Sequence, residues 1–238
     1  MNTRSQIACG LGGVLGVLLI LPAFIIADYF VPPKANWTAD QFADFYSGEN
    51  DRIRVGVLMV LVAVVGWGTA VAVITAQMLR YEGRNPVLTI LWAVSGTATY
   101  VLLTLFGVFL AAAAFRPERA PDSIQLLHDI GWFMAFLAAP VFSAQAFALG
   151  AAVLGNRSAN PVHPRWFGYL NIWIGVLLLP GTLLMCFHTG PFAYHGVISY
   201  WIPLFTFGTW MGALGLVAIM TAQAEARAAA TAPEPVLA

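Results

Sequence analysis

The residues of this chain best suited to chemistry sit where apolar segments begin and end. Asp51, Arg52 and Arg54 open one such segment, and His128 and Asp129 lie at the start of another. His188 and His195 flank a Gly190-Pro191 turn. Neutral imidazoles and carboxylates are good zinc or copper ligands, and histidine changes charge near neutral pH. If these seven side chains converge on one mouth of a bundle, they form a pH-responsive polar network. No HxxxH or HExxH pairing is present, so a complete metal site is not expected. Ordinary interfacial ion pairs are the competing explanation.

Within the apolar segments the chemistry is sparse. Gln145 and Asn171 are the strongest polar side chains, and a small polar pocket or interhelical hydrogen bonding would explain them. No lysine is available there for a Schiff base. The four histidines are not placed to give a transmembrane haem pair. Cys9 and Cys186 fall near opposite membrane faces, too far apart for a disulfide. No cofactor is therefore expected. Trp67, Trp92, Trp132, Trp173 and Trp210 lie in the apolar segments. They could pack the interior or line an aromatic pocket for a flat apolar molecule, and any buried indole N–H needs an acceptor.

The elements that must position these residues are plain. Six apolar stretches run at about 7–30, 53–79, 87–115, 126–154, 166–187 and 197–223. A bilayer core of about 30 Å is crossed by about 20 apolar residues in helical form, and lipid obliges the backbone to satisfy its own hydrogen bonds. Of the 238 residues, 60% are hydrophobic and 9% charged, against about a quarter charged in soluble domains. The charges lie in tails, in loops or near helix ends, and their zero net balance gives no reason to expect nucleic acid. The predicted fold is all-α: a polytopic transmembrane bundle of six helices over 1–224, with a cytoplasmic Ala/Pro-rich tail over 225–238.

Charge distribution predicts both termini in the cytoplasm. That orientation puts Arg4, Arg80, Arg84, Arg157, Arg165 and Arg227 inside, on short loops and tails with few acids. The outer loops interleave their basic residues with most of the acids. The first stretch is too long for a signal-peptide core and lacks a small residue for cleavage, so it reads as a retained helix. Arg165 and Trp166, just after Pro164, read as an anchor at the inner interface, with membrane lipids as partners. Thr38-Ala39-Asp40-Gln41 fits a capping box, and Trp37 and Phe42 fit a hydrophobic staple. A short outer interfacial helix near 38–47 follows, with Phe42, Phe45 and Tyr46 on one face. Pro22, Pro140, Pro180 and Pro203 predict kinks in the first, fourth, fifth and sixth helices. Gly12-x-x-x-Gly16 and Gly208-x-x-x-Gly212 allow close helix packing.

Three runs carry a resemblance: Asn50-Asp51-Arg52-Ile53-Arg54-Val55-Gly56, His128-Asp129-Ile130-Gly131-Trp132 and Pro164-Arg165-Trp166-Phe167-Gly168-Tyr169-Leu170. Across about residues 40–180 the chain resembles a bacterial six-helix membrane-protein family known only as a domain of unknown function. The resemblance implies six helices in a bacterial inner membrane and brings no substrate or catalytic residue. The function expected from the residues is non-catalytic: a bundle that binds or senses an apolar small molecule, or scaffolds a membrane-protein partner. A small-molecule transporter and a metal-dependent enzyme at the outer mouth are the alternatives. The first is weakened by the lack of a charge in the middle of the bilayer.

Overall fold

A computed structural model describes residues 2–231. Eight α-helices form its frame: α1 (Thr3–Ile26), α2 (Ala39–Gly48), α3 (Asn50–Glu82), α4 (Val87–Phe115), α5 (Pro121–Phe136), α6 (Ala139–Gly155), α7 (Arg165–Leu178) and α8 (Ile202–Thr231). A 3₁₀ segment, Leu179–Cys186, extends α7, and a π-helical turn, Val197–Trp201, leads into α8. They make six spans long and apolar enough to cross a membrane: Thr3–Ile26, Asn50–Glu82, Val87–Phe115, Pro121–Gly155, Arg165–Cys186 and Val197–Thr231. The end of the predicted tail, 232–238, lies outside the described residues.

Three of the four prolines mark breaks in the last three spans. Pro140 has no N–H for the ladder, so the fourth span is interrupted at Leu137–Ala138 and restarts as α6. Pro180 falls where α7 tightens into the 3₁₀ segment. Pro203 follows a π turn in which the Ile202 N–H reaches Val197 O. Pro22 sits inside α1, which continues past it to a well-formed stop. There the Tyr29 N–H bonds Phe24 O (2.8 Å) and the Asp28 N–H bonds Ile25 O (3.2 Å). Asp28 takes a left-handed φ of 59°, and the Phe24 and Tyr29 rings meet edge to face. This is a Schellman motif with aspartate in the place usually held by glycine.

α1 packs between α3 and α8, α3 on α4, α4 on α5 and α6, and α6 on α7. Glycine makes the closest seams. A Cβ on Gly66 would lie 2.3 Å from Gly12 O, and one on Gly215 would lie 2.6 Å from Gly10 O. The Gly12/Gly16 face is therefore occupied within the chain. At Gly208 and Gly212 the nearest atom to an added Cβ is Val17, at 3.7 Å, so that stretch of the α1–α8 seam is looser.

The core divides in two. One cluster gathers Trp67, Trp92, Trp210, Phe142 and Phe167; the other gathers Phe24, Tyr29, Phe42, Tyr46, Trp132 and Tyr200. Tyr100 and Leu103 pack against both. Four tryptophans are fully buried, and each spends its indole N–H on an acceptor: Trp67 on Gly96 O, Trp92 on Val71 O, Trp132 on Tyr194 O and Trp210 on Asn171 Oδ1. Trp173, the fifth tryptophan predicted within the apolar segments, is instead 64% exposed on the outside of α7.

Candidate functional site

α2 begins with a complete capping box. The Gln41 N–H donates to Thr38 Oγ1 (3.4 Å) and the Thr38 N–H donates to Gln41 Oε1 (2.9 Å). Trp37 lies edge-on to Phe42, centroids 5.7 Å apart, as a staple requires. The helix packs mainly on α5, so Phe42 and Tyr46 are enclosed by protein rather than turned to lipid.

Beneath α2 lies a fully buried His128. The Tyr46 hydroxyl is 2.9 Å from His128 Nδ1 and 2.9 Å from the Tyr29 hydroxyl. Trp132 stacks on the imidazole at 5.0 Å, and Phe42 approaches it at 4.8 Å. Among the described residues His128 Nε2 has no partner, so proton counting selects a tautomer. If Nδ1 carried the hydrogen, Tyr46 would donate to Tyr29, leaving both the Tyr29 hydrogen and the Nε2 lone pair unused. If Nε2 carries it, Tyr29 donates to Tyr46, Tyr46 donates to Nδ1, and only the Nε2–H is unused. The second arrangement strands one group instead of two and is the favoured state. Burial pushes the Tyr29 and Tyr46 hydroxyls well above the usual phenol range, so both stay neutral donors.

The other outer-network candidates divide. Asp129 accepts from the Tyr194 hydroxyl (3.2 Å), and Tyr194 packs near His128 at 5.9 Å. His188 is exposed. His195 Nδ1 accepts from the Ala35 N–H (3.0 Å); burial, then the Lys34 charge, lower its pKa below the ordinary value. Asp51, Arg52 and Arg54 engage different groups. Arg52 pairs with Glu49 at 2.9 Å, and Arg54 with Asp51 at 3.6 Å. Arg54 also donates to Ala114 O (3.2 Å) and Phe115 O (3.1 Å) at the end of α4. Among the described residues no hydrogen bond or ion pair joins this trio to His128 or Asp129, and no group of three or more His, Cys, Asp or Glu could hold a metal ion.

Gln145 and Asn171 serve separate contacts. Gln145 Oε1 meets the Thr99 hydroxyl at 3.0 Å across the α4–α6 seam, and among the described residues its Nε2 has no partner. Asn171 accepts from Trp210 (2.8 Å) and donates to Phe167 O (2.8 Å), so its amide is used in positioning an indole. Arg165 and Trp166 are exposed at the start of α7, Trp166 by 51%.

The middle of the bundle holds an apolar cavity of about 80 Å³. Its walls come from seven helices and include Phe24, Trp67, Leu103, Phe106, Phe136, Phe142, Phe207 and Met211. Phe24, Phe106 and Phe136 form the wall toward the His128 cluster: Phe106 and Phe136 contact Trp132, and Trp132 stacks on His128. Two aromatic layers, the phenylalanine wall and then Trp132, thus separate the apolar space from the buried imidazole.

A polar cluster at the opposite end escaped the residue-by-residue reading. His163 Nε2 lies 2.9 Å from Gln77 Oε1, and its Nδ1 is 3.3 Å from the Tyr81 hydroxyl. Gln77 Nε2 donates to Gln6 Oε1 (2.9 Å) and Ala218 O (3.0 Å), and Arg80 pairs with Glu225. Burial, then the Arg80 charge, push the His163 pKa down to about 3. The available signal was Gln77, an amide near the end of an otherwise apolar run, which in lipid needs a partner.

Compared with family models, curated proteins and solved structures, the chain matches none.

Proposed function

We propose that this multi-pass membrane protein is a non-catalytic bundle that binds a slender apolar molecule in its central cavity. The carrying observation is the cavity itself, walled by Phe, Trp, Leu and Met at the depth of the membrane spans. An engineered apolar cavity that admits benzene measures about 150 Å³. A volume of about 80 Å³ therefore favours a single chain or small apolar molecule over the flat rings that the tryptophans first suggested. Trp67, in the cavity wall, spends its indole N–H on Gly96 O, so the wall offers the bound molecule no donor there. In the same proposal the protein lies in a bacterial inner membrane with both termini cytoplasmic, so α2 covers the outer mouth; the charge distribution supports this orientation.

The experiment is native mass spectrometry of protein purified in mild detergent, with Ala63→Phe to fill the cavity. Retention of an apolar molecule by the parent, and its loss in the folded variant, are expected. Equal retention by both removes the cavity as the site.

A further inference from the structure

We propose that the groove between α3 and α4 is a binding site for an anionic phospholipid, with the phosphate at Arg54 and Arg116 and one acyl chain in the groove. The groove measures about 230 Å³ and is lined by Arg54, Val57, Leu58 and Leu61 of α3 and by Ala111 and Phe115 of α4. Leu58 and Phe115 are 62% and 64% exposed, so their outer faces meet the surrounding hydrocarbon. Arg54 is the first charge met on leaving the apolar run of α3, and α4 carries none at all. The groove runs from this boundary to Leu61, seven residues or ~10 Å deeper along the helix. That arrangement matches a lipid, with its anionic head at the rim and its apolar chain below.

The head site is held in place. Two N–H groups of Arg54 are fixed by Ala114 O and Phe115 O, and three of its five donors remain. Asp51 approaches at 3.6 Å, but its side chain is 97% exposed, and that pair is water-screened and weak. Arg116 lies over the Phe115 ring at 5.7 Å, bringing a second guanidinium to the same rim. Bidentate pairing with phosphate is what an immobilised guanidinium does best. The groove is separate from the central cavity and does not depend on the function proposed for it.

The test offers full-length protein in neutral detergent an equimolar mixture of phosphatidylglycerol and phosphatidylcholine, and measures retained lipid by native mass spectrometry. Phosphatidylglycerol should be retained preferentially, with about a fivefold loss on removing each guanidinium in R54Q and R116Q. A111F, which fills the groove and keeps both arginines, should lower retention as well. If R54Q fails to fold, R116Q and A111F decide. Equal retention of the two lipids, or wild-type retention by both R116Q and A111F, overturns the site. Displacement of the lipid by millimolar inorganic phosphate, with A111F inert, would show an anion site without a chain and also overturns it. Gly208→Leu, which narrows the central cavity, should leave phosphatidylglycerol retention unchanged.

Discussion

The Tyr46 hydroxyl joins two buried groups that have no other partner among the described residues, Tyr29 Oη and His128 Nδ1. Its removal should therefore cost more than one average hydrogen bond. Tyr46→Phe is expected to destabilise the protein by about 1–3 kcal/mol in denaturant unfolding, and adding His128→Phe should recover part of that loss. A single variant within about 0.5 kcal/mol of the parent would show that the chain of hydroxyls contributes little. At the opposite end, His163 is held neutral, with its folded pKa near 3 against about 6.5 unfolded. The unfolded state then binds more protons below pH 6.5, so the contribution is complete above that value and lost as pH falls toward 3. Thermal unfolding between pH 7 and 5 should show a loss of about 2 kcal/mol that His163→Gln reduces. An unchanged pH slope in the variant would contradict this. His128 was legible as a polar residue at a helix start. Its enclosure was not, because the covering Tyr46 is 82 positions away in sequence. His163 went unread for a related reason: its partners Gln77 and Tyr81 both come from α3, more than 80 positions earlier.

At the scale of elements, local chemistry was the readable part. The α2 capping box and staple are contacts between near neighbours, and Thr38, Gln41, Trp37 and Phe42 form them as expected. What α2 rests on is a tertiary matter, and its aromatic face turned to α5. Thr38→Ala should loosen the cover by about 1 kcal/mol and raise hydrogen exchange across residues 39–48 while α3 and α4 keep their protection. Equal exchange in variant and parent would mean that tertiary packing alone holds α2. Pro140, Pro180 and Pro203 were readable as interruptions, but not as the particular devices found: a break before α6, a 3₁₀ extension of α7 and a π turn before α8. Which device appears depends on the neighbours that accept the freed carbonyls.

For the whole molecule, six apolar spans follow directly from composition and run length, because lipid leaves the backbone few alternatives. The cavity was not legible: it is the space left when seven helices meet, and no segment encodes it alone. Orientation is tested by reporter fusions at residues 83, 120, 160 and 231, expected to report inside, outside, inside and inside; an outside signal at 231 would contradict the proposed orientation. In the proposed function the cavity holds a slender apolar molecule beside Trp67. Its most direct measurement is tryptophan fluorescence of the purified protein titrated with a short bromoalkane and, separately, with bromobenzene, each compared in Trp67→Phe. Saturable quenching by the bromoalkane is expected at lower concentration than by bromobenzene, with the saturable part lost in the variant. Linear, unsaturated quenching by both compounds, the same with and without Trp67, would contradict it.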